Sequence, residues 1–227
     1  MSDPLPVEEL CARYRKLYAG AICDALDSKE LRNQTLNRAI KPVLPDMVVA
    51  GVAYTVKGMR VPKDDAWVPD PPVDILAGVT PRCVIVYDPG NEQECGHWGE
   101  LTSNAAAYMG AQGVVVDGGV RDSTKHIEIP NWSAFGRYTS PIEAASQQRI
   151  IATGKPVLMT GSLSRYVRVN PGDVIFGDLD GVVVVPRDVA EEVLVTAEEK
   201  IEVEDRGREA IRKGTPLQEV YRTYRVG

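Results

Sequence analysis

Apolar positions along the chain follow two rhythms. Leu10, Tyr14 and Leu17 recur at helical spacing and predict a helix over residues 6–18, with a second short helix at Ala21–Leu26. From Met47 to Lys57 the residues alternate and are β-branched, which predicts strands separated by Gly51. The Pro- and Asp-rich stretch 61–72, with Trp67 in it, reads as a loop suited to cover a site. Val73–Ala77 then suggests a short helix, and Cys83–Tyr87 a strand ending in the turn Asp88-Pro89-Gly90. Next come a helix over Leu101–Met109 stopped by Gly110 and Gly113, a strand over Val114–Val116, and a turn at Asp117-Gly118-Gly119. Strands near Ser133–Tyr138 and Pro156–Thr160 flank a predicted helix at about Pro141–Gln148. Val174–Phe176 and Val182–Val185 are strands joined by an acidic turn. A long helix opens on the capping pattern Asp188-x-x-Glu191 and runs to about Lys213 before Gly214. This mixed order, without internal repeat or compositional break, predicts a single α/β domain over 1–227.

Composition narrows the function. The 227 residues are 44% hydrophobic and 26% charged, ordinary for a soluble globular protein, and the net charge of −6 argues against nucleic acid or an anionic membrane as the main partner. No apolar run is long enough for a membrane span and MSDPLPVEEL is neither basic nor apolar enough for a signal peptide, so the expected location is the cytoplasm. Cys11, Cys23, Cys83 and Cys95 form no C-x-x-C and read as reduced, mostly buried thiols, Cys95 as a core or wall residue near the site. With only His97 and His126 and these scattered thiols, the chain lacks the ligands zinc prefers, so any metal should be magnesium or manganese held by oxygens. Neither a phosphate loop nor a dinucleotide fingerprint occurs, which leaves Arg137 without a nucleotide to clamp.

The candidate chemistry gathers between Gly96 and Ser123. The first amides of a helix lack internal partners and carry the positive end of its dipole, so Gly99, Glu100, Leu101 and Thr102 offer a seat for a small carboxylate. If that helix packs antiparallel to the strand after it, its start lies beside Arg121 and Asp122, just past a strand's C-terminal edge where open α/β sheets bind ligands. Glu100 and Asp122 would then face one arginine across a cleft, a seat for a divalent cation and an anionic substrate. The alternative is structural: a surface ion pair, with Glu100 complementing the dipole. His97, with no partner acid in sequence reach, reads as structural, and Asp24, Asp27, Asp178 and Asp180 as caps or turns. Lys125 reads as solvent-exposed. Glu204 falls on the apolar stripe of the last helix, so it must be paired with a buried arginine or delivered to a site.

A carboxylate, twenty residues and then Arg121-Asp122 resembles the signature of the RraA-like family, which includes 4-hydroxy-4-methyl-2-oxoglutarate/4-carboxy-4-hydroxy-2-oxoadipate aldolases. Asp24-Ala25-Leu26-Asp27, Gly113–Asp122 and Pro171-Gly172-Asp173 through Asp178–Pro186 extend the likeness over most of the chain. One departure is Glu100, where the family typically has Asp. The resemblance implies a swivelling β/β/α fold, a homotrimer or homohexamer with sites between subunits, and a Mg2+ (or Mn2+) ion held by Asp122. It implies a lyase acting on a 2-oxo acid through a pyruvate enolate, by retro-aldol cleavage or oxaloacetate decarboxylation. Arg121 would donate to the enolate, the amides of Leu101 and Thr102 beside Gly99 would hold the substrate carboxylate, and Glu100 and a neighbouring subunit's Glu204 would order a water as base. Members that inhibit ribonuclease E supply the alternative, a non-catalytic binding protein.

Overall fold

The computed structural model describes residues 4–62, 73–145 and 148–224. In chain order these form α1 (Val7–Tyr14), α2 (Ala19–Asp27), β1 (Lys41–Pro42), β2 (Val49–Arg60), β3 (Cys83–Asp88), β4 (Gly96–Trp98), α3 (Glu100–Tyr108), β5 (Gly113–Val116), β6 (Gly119–Val120) and α4 (Ser123–His126). There follow β7 (Ser133–Gly136), β8 (Tyr138–Thr139), β9 (Gln148–Thr153), β10 (Val157–Thr160), β11 (Tyr166–Val169), β12 (Val174–Asp178), β13 (Gly181–Val185), α5 (Ala190–Arg212) and α6 (Leu217–Tyr224).

The main sheet has the order β1-β7-β5-β3-β2-β12-β13, with β9 also paired to β2. Its centre, β7-β5-β3-β2, is parallel, while β12, β13, β9 and β1 join antiparallel. Both faces are covered, which explains why β3 and β5 read as continuous apolar runs rather than alternating ones. Along β3 and β5 alternate residues enter different cores. Ile85, Val114 and Val116 pack with Trp98 and Ala106 on the face carrying α3, whereas Val84, Val86 and Val115 pack with Met159 and Val167 of the β10–β11 hairpin. A third cluster packs Tyr14, Ile22, Val193 and Leu194 of α1, α2 and α5 on Phe176 and Val183.

Four expectations are corrected. Gly51 does not separate two strands. It lies inside the continuous β2, where a Cβ would stand 2.4 Å from the Arg82 carbonyl oxygen, so the glycine admits a neighbouring backbone rather than a break. The helix expected at Pro141–Gln148 is absent over its described part. Ile142 and Glu143 instead run beside β4, and Gln148 begins a strand on β2. The cause is tertiary: β12 covers only Val49–Val52 of β2, and β9 takes the remaining edge at Val56–Arg60. Val73–Ala77 forms turns, because the Asp74 side chain accepts the Leu76 amide at 2.9 Å and competes with a helix. At the last helix Asp188 lies in a short 3-10 turn and caps nothing, while Glu191 accepts the Leu5 amide at 2.7 Å. Trp67 and most of the Pro-rich loop lie outside the described residues.

Candidate active site

The position of the site follows from the small parallel sheet β4-β6-β8. Gly96 pairs with Gly119 and Trp98 with Val120, so β4 and β6 end side by side. The chain leaves β4 through Gly99 into α3, and leaves β6 at Arg121. The Arg121 amide donates to the Trp98 carbonyl at 2.9 Å. Helix start and arginine are therefore tied by strand pairing, a tighter link than the helix–strand packing expected from sequence.

Asp122 closes this corner. Its backbone is left-handed (φ 57°, ψ 34°), a region where Asp is tolerated better than most non-glycine residues. Its carboxylate lies 3.2 Å from Arg121 Nε and accepts the Glu100 amide at 3.3 Å. Gly99 makes the approach possible, since a Cβ there would fall 2.8 Å from Asp122 Oδ2 and 3.2 Å from Arg121 Cγ. The corner opens on a cavity of about 520 Å³ whose walls include Gly99, Leu101, Thr102, Arg121 and Asp122, with apolar surface from Ile75 and Ile150. Glu143 stands in the same wall, 3.8 Å from the Arg121 guanidinium.

Gly99, Leu101, Thr102, Arg121 and Asp122 are thus brought together, but the two glutamates are not. The Glu100 side chain turns back along α3 to accept Asn104 Nδ2 at 2.6 Å and does not line the cavity. Glu204 lies elsewhere in the chain, where Tyr18 Oη donates to it and Arg208 binds it at 2.9 Å. Those donors hold its carboxyl below the usual range. Its partner is the arginine one turn along its own helix, half exposed, rather than a buried one. Lys125 is exposed and paired with Glu128, and Cys95 is fully buried and does not line the cavity, a core residue rather than a wall.

Both histidines support the site, His97 in the cavity wall and His126 behind it. His97 has a partner acid that the sequence did not suggest: Glu92 Oε2 lies 2.5 Å from His97 Nε2, with both side chains fully buried. Glu92 also accepts the amides of Glu94 and Cys95, at 2.7 and 3.2 Å. His97 Nδ1 accepts the Gly119 amide at 3.1 Å, so the ring braces the entry to β6. Burial pushes its pKa down, against the pull of Glu92. Glu92 carries no periodic or turn signal in Asn91–Cys95, and only the fold-back of this loop onto β4 reveals it. Arg137 is a structural strut: it donates to Asp117 at 2.5 Å and to Thr160 at 2.5 Å, tying the end of β5 to β10.

Among the described residues no three His, Cys, Asp or Glu side chains cluster as a metal cage. Asp122, partly exposed at the cavity wall, fits the donor set of a hard cation that keeps most of its water and takes one or two carboxylates. It does not fit zinc.

The chain resembles several known proteins. A family model described as RraA-like, Aldolase/RraA, matches residues 19–184. Protein DlpA of Legionella pneumophila is 30% identical over 226 residues, covering 98% of this chain and 34% of its own length, so the chain spans about a third of that relative. A Halalkalibacterium halodurans protein named "Putative 4-hydroxy-4-methyl-2-oxoglutarate aldolase" is 31% identical over 201 residues, 88% of this chain and 87% of that protein. The crystal structure of Streptomyces coelicolor RraAS2, described as an unusual member of the RNase ES inhibitor RraA protein family, superposes with a TM-score of 0.76 at 25% identity. It covers 90% of this chain and 99% of that one. The mixed α/β architecture expected from the sequence is the one this chain shares with that crystal structure.

Proposed function

The chain belongs to the RraA-like family, and from that premise we propose that it is a divalent-metal-dependent lyase cleaving a carbon–carbon bond of a 2-oxo diacid through a pyruvate enolate. The observation that carries this reading is the shared corner: the Arg121 guanidinium, the Asp122 carboxylate and the opening turn of α3 face one cavity.

Both retro-aldol cleavage and decarboxylation leave negative charge on the oxygen at C2 of a nascent pyruvate, and that charge must be stabilised as it forms. The amides of Leu101 and Thr102, which have no partners within the helix, bind the substrate carboxylate and fix its orientation. The Arg121 backbone is fixed beside them by the hydrogen bond from its amide to the Trp98 carbonyl, and its guanidinium donates to the enolate oxygen. Asp122 would hold Mg2+ or Mn2+, which when bound polarises the keto group as a Lewis acid. Decarboxylation requires no base, whereas the retro-aldol direction requires a group to take the alcohol proton. Within one chain, Glu143 is the acid besides Asp122 among the described cavity walls. Glu204 would reach the site only across the interface of a homotrimer or homohexamer.

Release of pyruvate from oxaloacetate and from 4-hydroxy-4-methyl-2-oxoglutarate, measured with Mg2+, tests the reading. Wild type should turn over at least one of them. Asp122→Ala and Arg121→Ala should each lose about a hundredfold or more in kcat, the scale of removing one stabiliser of a developing oxyanion. No turnover by wild type, together with binding to ribonuclease E, would transfer the protein to the inhibitory role for which the RraAS2 family is described.

A further inference from the structure

Behind the cavity wall, two buried polar side chains hold the two halves of the corner by their backbone carbonyls. His126 is fully buried, with Nε2 3.1 Å from the Arg121 carbonyl oxygen and Nδ1 3.1 Å from Trp132 Nε1. Chemistry fixes its tautomer. An indole N–H can only donate, so Nδ1 is the acceptor, and a carbonyl can only accept, so Nε2 carries the hydrogen. On the other half, Ser103 Oγ accepts Trp98 Nε1 at 2.8 Å and donates to the Gly99 carbonyl at 3.0 Å. Ser103 Oγ and His126 Nδ1 stand 3.4 Å apart. With the serine hydrogen on the Gly99 carbonyl and His126 Nδ1 an acceptor, the two side chains pack together without a hydrogen bond, each holding its own half of the corner.

We propose that His126 is a positioning residue, which holds the Arg121 carbonyl so that Asp122 keeps its left-handed backbone and presents its carboxylate against the start of α3. Left-handed backbone at a non-glycine residue persists only where its surroundings over-determine it, and the Arg121–Asp122 peptide is the link His126 grips. Burial suits His126 to this role, because it pushes the pKa down and keeps the ring neutral, with one donor and one acceptor. The effect on turnover rests on the lyase reading; the effect on the backbone does not.

His126→Gln keeps a side-chain amide N–H where Nε2 stands, whereas His126→Leu removes donor and acceptor with little change in bulk. Two readouts separate positioning from bulk stability. Amide hydrogen exchange compares Arg121 N (bonded to Trp98) and Lys125 N (bonded to the Asp122 carbonyl) with the amides of β3 and β5. Steady-state pyruvate release gives kcat and KM. In His126→Leu the Arg121 and Lys125 amides should exchange about tenfold faster while those of β3 and β5 do not change, and kcat should fall about 10–100-fold, the range seen when groups that orient ligating residues are removed. His126→Gln should recover most of both. The proposal is overturned if exchange at both amides stays within twofold of wild type, if it rises uniformly with that of β3 and β5, or if glutamine restores nothing. If wild type releases no pyruvate, the lyase reading fails, and the exchange comparison alone decides the role of His126.

Discussion

At the residue scale the corner is held by two unlike positions. Gly99 has φ −120° and ψ 177°, backbone that any residue adopts, so its requirement is space rather than conformation. Gly99→Ala should therefore leave the thermal midpoint within a few degrees of wild type, yet displace Asp122 Oδ2 and Arg121 Cγ and lower pyruvate release about tenfold or more. Melting and turnover measured on one preparation check this, and equal losses in both would contradict it. Asp122 is the opposite case: its left-handed backbone, not its space, is the constraint. Arg121, Asp122 and the helix start were legible in the sequence because each depends on local chain chemistry, a turn of glycines after a β-branched run followed by two charges. The Glu92–His97 contact was not, since a glutamate in Asn91-Glu92-Gln93-Glu94 looks like a solvated residue until the loop folds it inward to accept two amides. The fate of Glu100 was equally hidden, because a helix start predicts a dipole partner but not that Asn104 one turn on would take its carboxylate.

At the scale of elements, the strands that propensity predicts are those covered on both faces, such as β3, β5 and β13. What escaped were elements created by a vacant edge. Nothing in Gln148–Thr153 demands a strand, but the uncovered end of β2 does. The β10–β11 hairpin closes the second core from the other side and is tied to the end of β5 by the Asp117–Arg137–Thr160 strut, whose ionic side chains are 6% and 15% exposed. Arg137→Leu would leave Asp117 buried without its counter-charge and should cost about 3–5 kcal/mol in urea unfolding, the usual penalty for breaking one side of a buried pair. Adding Asp117→Leu to that variant should recover part of the loss, since two apolar groups leave no orphaned charge. A double variant less stable than Arg137→Leu would contradict this account.

For the whole molecule, the two buried imidazoles set an acid limit. Both have pKa values held below the ordinary 6.5 by burial. Opposing that shift are Glu92 at His97, and the Arg121 carbonyl with Asp122 and Glu100 at His126. Below pH 6.5 the unfolded chain takes up protons that the folded chain refuses, so stability falls with falling pH and levels off once the folded pKa values are passed; above 6.5 these rings contribute no slope. Glu204, held below 4.5 by Tyr18 and Arg208, adds a second loss further toward acid. Urea unfolding should therefore give lower stability at pH 5 than at pH 7.5, and His126→Gln should flatten part of that slope. Equal stability at the two values would refute the assignment.

The twelve-residue β2 carries a consequence for synthesis. Its Val49–Val52 half pairs with β12 and its Val56–Arg60 half with β9, partners on the order of a hundred residues further along the chain. A ribosome making this protein exposes β2 long before either partner leaves the exit tunnel. The nascent chain must keep that open edge from pairing with other chains until residues 148–178 arrive, so yield on expression should respond to translation speed and to chaperone supply more than the finished fold would suggest.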